Sequence, residues 1–482
     1  MRSDGSHGGL AGKVRDARAA LIDGHGVGLC EVLPADAVQR AMEAEGVRFR
    51  DCLFTPLVTL WTFLSQVLGA DGSCRAAVAR LIALLAARGE AAADGESLDP
   101  ATGPYCKARQ RLPERLVARL TAEAGGRLHD DYPAGRLLGG RPVKVVDGTT
   151  VSMPDTPANQ KRWPQPPTQA PGLGFPLARL VVVMSLHCAA VLSLAIGPYA
   201  GKQSGETALF RTLVTAADGG GLARGDVLLA DRYYASFWAI AMLLARGVDS
   251  LMRQHQKRSI DFRSGTRLGR DDHRITLARP TQRPDWMDAA TYAGMPAELT
   301  VREVRVRVAV RGFRVRCLVL VTTLLDAALY GKDEIARAFA CRWHAELDLR
   351  AIKQTMAMGV LRCKTPEMVR KEIWAHLLAY NLIRGLIARA AQQAGIEPRQ
   401  VSFAGAVQTL DAFAPVLALA QPQDLPRLLE ILLRAIARHR VGDRPNRYEP
   451  RAVKRRAKPI AWLTVPREQA RNRLARSGAA KC

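Results

Sequence analysis

One stretch of the chain, residues 332–356, repeats charged side chains at helical spacing around a single carboxylate. In one continuous helix, Glu346 would share a face with three cations and an aromatic ring, since residues three, four and seven apart align. These neighbours are Phe339, Arg342, Arg350 and Lys353. A carboxylate among cations stays ionised beside groups that can bind phosphate oxygens. The alternative is a solvated helix with ion pairs four residues apart, which is the commoner origin of such a face.

Two aspartates elsewhere also stand at positions that suggest chemistry. Asp147 follows the apolar run KVV in a segment rich in β-branched residues, although Asp is depleted in strands. An ordinary Asp-Gly turn is the alternative there. Asp231 stands where the run VLLA ends and a helix is predicted to begin. Ligands bind at the carboxyl ends of strands in open α/β sheets, so Asp231 is a candidate and Asp226, at the strand's start, is not.

Asp147, Asp231 and Glu346 together make a set of oxygen donors. Two Mg²⁺ ions held by three carboxylates could activate a water or a 3′-hydroxyl beside a phosphate and stabilise the leaving oxygen. Without cations the carboxylates would repel one another. Mg²⁺ prefers oxygen ligands, and the sequence has no cluster of His and Cys. The three acids therefore predict a Mg²⁺ site in which Mn²⁺ can substitute.

The surrounding sequence predicts an α/β protein with helical regions at both ends. Alternating strands and helices begin after Gly139 and Gly140, and a β-rich segment interrupts them before the helices that carry Glu346. The predicted regions are an all-α, basic N-terminal module over residues 1–135, an α/β core over 136–255, a β-rich insertion over 256–325, the final core helices over 326–395, and a helical C-terminal region with a basic tail over 396–482.

The charge balance predicts a polyanionic partner. Seventy Lys and Arg oppose 45 Asp and Glu, which gives a net charge of +25 and a pI near 10.3. Residues 438–482 alone carry 14 Lys or Arg against 3 Asp or Glu, as expected for a segment that grips phosphates. A membrane surface is the weaker alternative, because the only long apolar run, residues 180–196, has the polar interruptions of two paired strands.

Nine scattered cysteines without a Cys-x-x-Cys pair indicate neither disulfides nor zinc, and the start of the chain shows no secretion signal. A cytoplasmic protein is therefore expected.

Three further features could contact DNA or could be ordinary surface. The loop over residues 155–176 contains Lys161, Arg162 and Trp163, a basic and aromatic combination that suits a DNA strand. Trp286 in the insertion could stack on a displaced base. Arginines alternate along the insertion, which predicts either a DNA-facing sheet or a solvated face. They are Arg302, Arg305, Arg307, Arg311, Arg314 and Arg316.

On these motifs the chain resembles the DDE transposases of bacterial insertion sequences, in the insertion sequence four group. The family pattern Tyr-x-x-Arg-x-x-x-Glu-x6-Lys matches at Arg342, Glu346 and Lys353, with Phe339 in the tyrosine position. The DGT that begins at Asp147 and the ADRYY that contains Asp231 look like the family's first and second acid segments. Phe339 keeps a packing surface but lacks a hydroxyl, which puts in doubt any hydrogen bond that relatives make there.

The resemblance implies an RNase H-like catalytic core with a β-rich insertion and an N-terminal DNA-binding module. It implies cut-and-paste transposition through a DNA hairpin, with Asp147, Asp231 and Glu346 as metal ligands. Arg342 and Lys353 would hold DNA phosphates, with Arg350 and Phe339 beside them. The implied partners are terminal inverted repeats, target DNA and a second copy of the chain, at the bacterial nucleoid. Two alternatives remain: a catalytically inactive DNA-binding protein descended from a transposase, and a related nuclease without strand transfer.

Overall fold

The computed structural model describes residues 32–49, 52–87, 99–132, 137–307, 317–421, 423–442 and 461–476. Within these ranges, nine strands form one mixed sheet in the order β3-β2-β1-β4-β5-β9-β8-β7-β6. The strands are β1 (Val143–Ser152), β2 (Leu177–Ser185), β3 (Val191–Pro198), β4 (Val227–Ala230), β5 (Asp249–Arg253), β6 (Thr266–Gly269), β7 (Asp272–Ala278), β8 (Glu298–Arg307) and β9 (Cys317–Thr322).

The helices lie before, between and after these strands. They are α1 (Ala35–Ala44), α2 (Pro56–Leu68), α3 (Cys74–Ala87), α4 (Gly103–Arg111), α5 (Glu114–Asp131), α6 (Pro157–Arg162), α7 (Glu206–Val214), α8 (Phe237–Ala245), α9 (Ala289–Gly294), α10 (Lys332–Ala340), α11 (Trp343–Arg350), α12 (Pro366–Gln393), α13 (Phe403–Leu419), α14 (Leu425–Arg438) and α15 (Arg467–Arg476). The described residues between 32 and 132 form helices and no strands.

Alternation along the central strands divides the core into two layers. In β1, Val143 and Val145 face a layer shared with α2, α5, α11 and α12, whereas Val146 faces a layer shared with α7 and α8. Successive side chains of a strand point to opposite faces, so one apolar run serves both layers. The run over residues 180–196 contributes β2 and β3, which pair antiparallel as predicted. No helix in the described segments is long and apolar enough to span a bilayer.

The β-rich insertion continues the central sheet. β9 pairs antiparallel with β5, and β8, β7 and β6 follow outward in turn. The insertion therefore extends the central sheet from the edge that β5 would otherwise leave open. Pairing of that edge satisfies backbone groups that would otherwise need water or another chain.

The N-terminal helices pack directly on this core. Thr55 caps α2 by accepting a hydrogen bond from the Val58 N–H at 3.3 Å, and Pro113 separates α4 from α5. The long helix α12 contacts α5 along much of its length and also contacts α2. Asn381 of α12 accepts from the Val191 N–H and donates to the Thr121 carbonyl, at 2.8 and 2.9 Å. One buried amide thus joins α5, β3 and α12.

The loop before β2 differs from its prediction. It contains the short helix α6, and Trp163 at its end is fully buried. The guanidinium of Arg162 lies 4.5 Å from the centre of the Trp163 ring. The suggestion that this aromatic ring faces a DNA strand was therefore wrong, because the ring fills the core beneath the loop.

Candidate active site

Strands β1 and β4 bring the first two predicted acids to the same end of the sheet. The strands are parallel, with Val143 opposite Val227 and Val145 opposite Leu229. Continuing this register by two residues places Asp147 opposite Asp231. Asp147 lies within β1, as predicted, and Asp231 directly follows β4. The Asp231 side chain accepts no capping hydrogen bond from the 3₁₀ turn that it precedes. Its carboxylate therefore remains available for a ligand.

Glu346 reaches the same place from the first turn of α11, which packs against β1. Arg342 connects it to the strand. One guanidinium nitrogen lies 2.8 Å from Glu346 Oε1, and another lies 3.6 Å from Asp147 Oδ2. The Arg342 and Asp147 side chains are 16% and 18% exposed, so this bridge is largely shielded from water. The structure thus brings together two acids on neighbouring strands and a third on a helix.

The environment of the Asp147 carboxyl disfavours its ionised form. Its pKa is raised to about 6, chiefly by burial and to a smaller extent by the Glu346 and Glu206 carboxylates. A hydrogen bond from the Gly148 N–H and the charge of Arg342 oppose this rise. A carboxyl group with a raised pKa is typical of functional sites, because a bound cation would offset the repulsion between neighbouring carboxylates.

The helix around Glu346 is interrupted, so the prediction of one continuous helix over residues 332–356 was wrong. Helix α10 ends at Ala340, and hydrogen bonds between residues three apart, such as Ala345 N–H to the Arg342 carbonyl at 3.0 Å, tighten the turn before α11. After Arg350 the chain widens into a π-helical turn over Ala351–Thr355. A π turn contains more residues than an α-helical turn, so the residues after Arg350 depart from the 100° spacing.

Arg342 keeps its predicted place, but Phe339 does not. Phe339 is 8% exposed and packs in the core layer shared with α11 and α12. Arg350 is exposed and donates to Gln354 Oε1 at 2.9 Å, so it does not pair with Glu346. Lys353 lies in the π turn, where partial burial lowers its pKa. Among the described residues, no carboxylate pairs with its ammonium group. Lys353 is thus free to bind an anion.

Similarity to known proteins identifies the family of the chain. The family model described as the transposase DDE domain matches residues 138–382, half of the chain. The chain belongs to the DDE transposases. It is 28% identical over 374 residues to transposase InsG for insertion sequence element IS4 of Escherichia coli (strain K12), covering 75% of this chain and 78% of that one. The resemblance to the insertion sequence four group is therefore confirmed, and the transposase is an enzyme that cuts and joins DNA.

Two further likenesses are more limited. Over 69 residues the transposase is 35% identical to the transposase for insertion sequence element IS421 of Escherichia coli, covering 14% of this chain and 19% of that one. A solved piggyBac transposase synaptic complex with hairpin DNA matches with a TM-score of 0.40 and 9% identity, covering 83% of this chain and 81% of that one.

Two of the arginines predicted to face DNA in the insertion form ion pairs with aspartates of the same sheet. Arg302 is fully buried and forms a two-pronged ion pair with Asp272, so its assignment to a DNA-facing surface was wrong. Arg305 pairs with Asp271 at 2.9 Å. Arg307, at the end of β8, is exposed. The predictions for Arg311, Arg314 and Arg316 lie outside the described residues.

Trp286 is partly buried against the layer shared with α7 and α8, and the Arg211 guanidinium lies 4.0 Å from its ring centre. One face of this ring is therefore already covered. This arrangement weighs against the suggestion that Trp286 stacks on a displaced base.

Sequence reasoning missed a fourth carboxylate beside these acids. Glu206 begins α7, and its carboxylate lies against Gly148 of β1, near enough to Asp147 to raise the pKa of that residue. Tyr234, from the segment after β4, is buried near the same acids. The signal that could have found Glu206 is its position, because it opens the helix that crosses from β3 to β4 beside the strand carrying Asp147.

The donor set fits divalent cations, although one cationic side chain stands among the acids. All the converging groups offer oxygen, which Mg²⁺ and Mn²⁺ prefer. As they stand, no three His, Cys, Asp or Glu side chains of the described residues are arranged to hold a metal ion. The Arg342 guanidinium lies between Asp147 and Glu346 and provides the positive charge there. Cation binding thus requires that Arg342 move aside.

Proposed function

We propose that the protein carries out cut-and-paste DNA transposition from an RNase H-like core, with Asp147, Asp231 and Glu346 holding two Mg²⁺ ions, or Mn²⁺ in their place. The observation that carries this proposal is the convergence at the end of the parallel pair β1 and β4, where Arg342 links Glu346 to Asp147. The strand order β3-β2-β1-β4-β5, with β2 antiparallel to β1, supports the assignment of the core.

The reaction would proceed by hydrolysis and strand transfer. Water breaks one phosphodiester bond at the element end and frees a 3′-hydroxyl. That hydroxyl attacks the opposite strand, which closes the element end as a hairpin and releases the flanking DNA. Water reopens the hairpin by breaking one phosphodiester bond and restores the 3′-hydroxyl. That hydroxyl then attacks a phosphodiester bond of target DNA, which joins the element end to the target phosphate and releases a 3′-hydroxyl on the target strand. The bound cations would supply an activated oxygen nucleophile and neutralise the charge that develops on the phosphate.

Each predicted residue has a distinct task in this scheme. Asp147 and Asp231 fix one side of the site because the two strands hold their backbones in register. Glu346 approaches from α11 and closes the other side. Arg342 keeps the acids together in the free protein and would turn toward a DNA phosphate when cations and DNA arrive. Lys353 has no carboxylate partner among the described residues and would bind a neighbouring phosphate. Arg350, on the surface beside it, would add an outer contact.

The partners follow from charge and family. The net charge of +25 and the basic C-terminal residues favour a long polyanion, and the substrate would be the terminal inverted repeats of the element and then target DNA. The N-terminal helical module would contact these ends. Two copies of the chain would bring two ends together at the bacterial nucleoid.

The decisive experiment compares Glu346→Gln with wild type on DNA that carries the element ends. We expect the variant to bind these ends nearly as wild type does, because one surface carboxylate is lost, and to show no Mg²⁺-dependent cleavage. Glu367→Gln, an exposed glutamate in the first turn of α12, is the matched control and should cleave normally. Equal cleavage by wild type and Glu346→Gln would refute the proposed site.

The same assay separates the alternatives. End binding without any nicking by wild type would indicate a DNA-binding descendant of a transposase. Nicking without joined product, when target DNA is supplied, would indicate a nuclease that lacks strand transfer. Chelation of divalent ions with EDTA should stop cleavage by wild type and leave end binding measurable.

A further inference from the structure

The first residue of α7 places a carboxylate beside β1, beyond the last residue of β1 that pairs with β4. The last paired residues of β1 and β4 are Val145 and Leu229, so β1 runs on past its partner. At this opening the Glu206 side chain lies over Gly148, the residue that directly follows Asp147. Within the described residues, Glu206 has no ion pair or hydrogen-bond partner. A carboxylate beside other carboxylates, without a cation of its own, is electrostatically unfavourable in the free protein.

Gly148 makes this approach possible. A Cβ atom at position 148 would lie 2.4 Å from the Glu206 carboxyl carbon and 2.7 Å from Oε1. Any other residue there would displace the carboxylate from the strand. Glycine weakens a strand interior and often marks a place where another group approaches the backbone closely. Here the approaching group is the Glu206 side chain.

An unpartnered hydroxyl points to a ligand at the same place. Tyr234 is 1% exposed, and its hydroxyl has no hydrogen-bond partner. Its ring packs edge-on against Phe210 of α7, with ring centres 5.1 Å apart. The 3₁₀ turn that contains Tyr234 directly follows Asp231 and contacts α7, so this buried hydroxyl comes from a segment that adjoins both Asp231 and the helix of Glu206. A buried hydroxyl without a partner costs about 1–3 kcal/mol unless it meets a water, an ion or a ligand.

We propose that Glu206 is a fourth carboxylate of the divalent-cation site, admitted by Gly148, and that the Tyr234 hydroxyl donates to an oxygen held there. The inference rests on the proposed function, because it assumes that Asp147 and Asp231 bind cations. It differs from a helix-capping role. A capping glutamate would stabilise the free protein through the helix dipole, whereas an unpaired carboxylate among acids destabilises it until a cation binds.

The test titrates the full-length protein with Mn²⁺ alone by calorimetry, after treatment with EDTA. We expect Glu206→Gln to bind Mn²⁺ about tenfold or more weakly than wild type, a loss typical of a disturbed metal site. Its melting temperature without metal should equal or exceed that of wild type, and its stabilisation by Mn²⁺ should shrink. Glu367→Gln, at the corresponding place in α12, should match wild type in all three measurements.

A double-mutant cycle tests the role of Gly148. Gly148→Ala should weaken Mn²⁺ binding when Glu206 is present, because the added methyl displaces the carboxylate. In a Glu206→Ala background the same change should have little further effect, since the group it displaces is gone. Equal weakening in both backgrounds would assign Gly148 a role independent of Glu206 and overturn the proposed link.

The inference is overturned if Glu206→Gln binds Mn²⁺ as wild type does, if it melts lower without metal, or if wild type binds no Mn²⁺. The proposed function is judged separately by DNA cleavage. Cleavage by wild type and not by Glu346→Gln, together with unchanged Mn²⁺ binding by Glu206→Gln, would remove Glu206 from the site and leave transposition intact. Absence of cleavage by wild type would count against transposition, and the Mn²⁺ titration would still decide the role of Glu206.

Discussion

At the scale of single residues, the site brings together carboxylates that could bind cations but that repel one another and so lower the stability of the metal-free protein. Asp147 is largely buried next to the Glu346 and Glu206 carboxylates, and Arg342 compensates only part of that charge. Groups that stabilise a bound ligand are often unfavourable in the empty site, which is why substitutions there can raise stability while removing activity. The raised pKa of Asp147 makes this conflict measurable.

We predict that Asp147→Asn stabilises the metal-free protein at pH 7. The pKa of Asp147 is about 6 in the folded protein and 3.8 for an ordinary exposed carboxyl, as in the unfolded chain. The ionised carboxyl therefore disfavours folding at pH 7. This penalty shrinks as pH falls from 6 toward 3.8. Removing it should raise the free energy of unfolding by up to about 3 kcal/mol, measured by denaturant titration in EDTA. Asp130→Asn, at an exposed position on α5, should show no such gain.

A buried histidine on α12 predicts a second pH effect with the opposite sign. His376 is enclosed, its Nδ1 has no partner, and burial lowers its pKa from 6.5 to about 4. Between pH 6.5 and 4, His376 is therefore protonated in the unfolded chain but not in the folded protein. Wild type should therefore lose up to about 3 kcal/mol of its free energy of unfolding as pH falls through this range, and His376→Leu should not show this loss. Parallel pH–stability curves for the two proteins would contradict this assignment.

At the scale of elements, α11 is positioned by an acid that the reaction does not use. Asp348 lies two residues after Glu346 and is 2% exposed. It accepts from Arg384 of α12 at 2.7 Å and from Arg399 at 2.9 Å. A helix of eight residues has little stability of its own, so these bonds fix its position against the sheet. Glu346 depends on them for its approach to Asp147.

We predict that Asp348→Leu disrupts both folding and the site. The substitution leaves two arginines beside a buried position without their anion, which should cost about 3–5 kcal/mol in the free energy of unfolding. Cleavage should fall even at temperatures where the variant remains folded, because α11 loses its anchor. Asp333→Asn, exposed in the first turn of α10, is the control and should change neither property. Normal cleavage by a folded Asp348→Leu would show that α11 is held by other contacts.

The same element shows what sequence periodicity can and cannot establish. The positions of Asp147 in a strand and Asp231 after one followed from local composition, and both are observed. The interruption between α10 and α11 did not follow, because Cys341 and Arg342 keep helical dihedrals and no proline or glycine marks the place. Local sequence did not predict the place of Glu206. Its position depends on which helix start packs against which strand, and tertiary packing decides that.

At the scale of the whole molecule, the predicted boundary near residue 135 separates parts that share one core. Leu116, Leu120 and Ala124 of α5 lie in the same buried cluster as the inner face of α12. Gly125 lies so close to β3 that a Cβ atom there would be 2.1 Å from the Val191 carbonyl oxygen. Composition could identify the N-terminal helices, but it could not show that the last of them covers the catalytic sheet. Amphipathic helices reveal an apolar face without revealing its partner.

We therefore predict that a chain beginning at residue 136 does not fold cooperatively. Removing α5 would expose the apolar face of α12 and leave Asn381 without its Thr121 partner, and buried polar groups that lose partners each cost about 1–3 kcal/mol. Thermal melting followed by circular dichroism should show no sharp transition. A chain ending at residue 460 is the control. It lacks α15, which buries no residue, and it should melt close to the full-length protein. A sharp transition in the chain from residue 136 would establish the N-terminal helices as a separable module. The sheet and the helices that remain would then be stable without the contacts between α5 and α12.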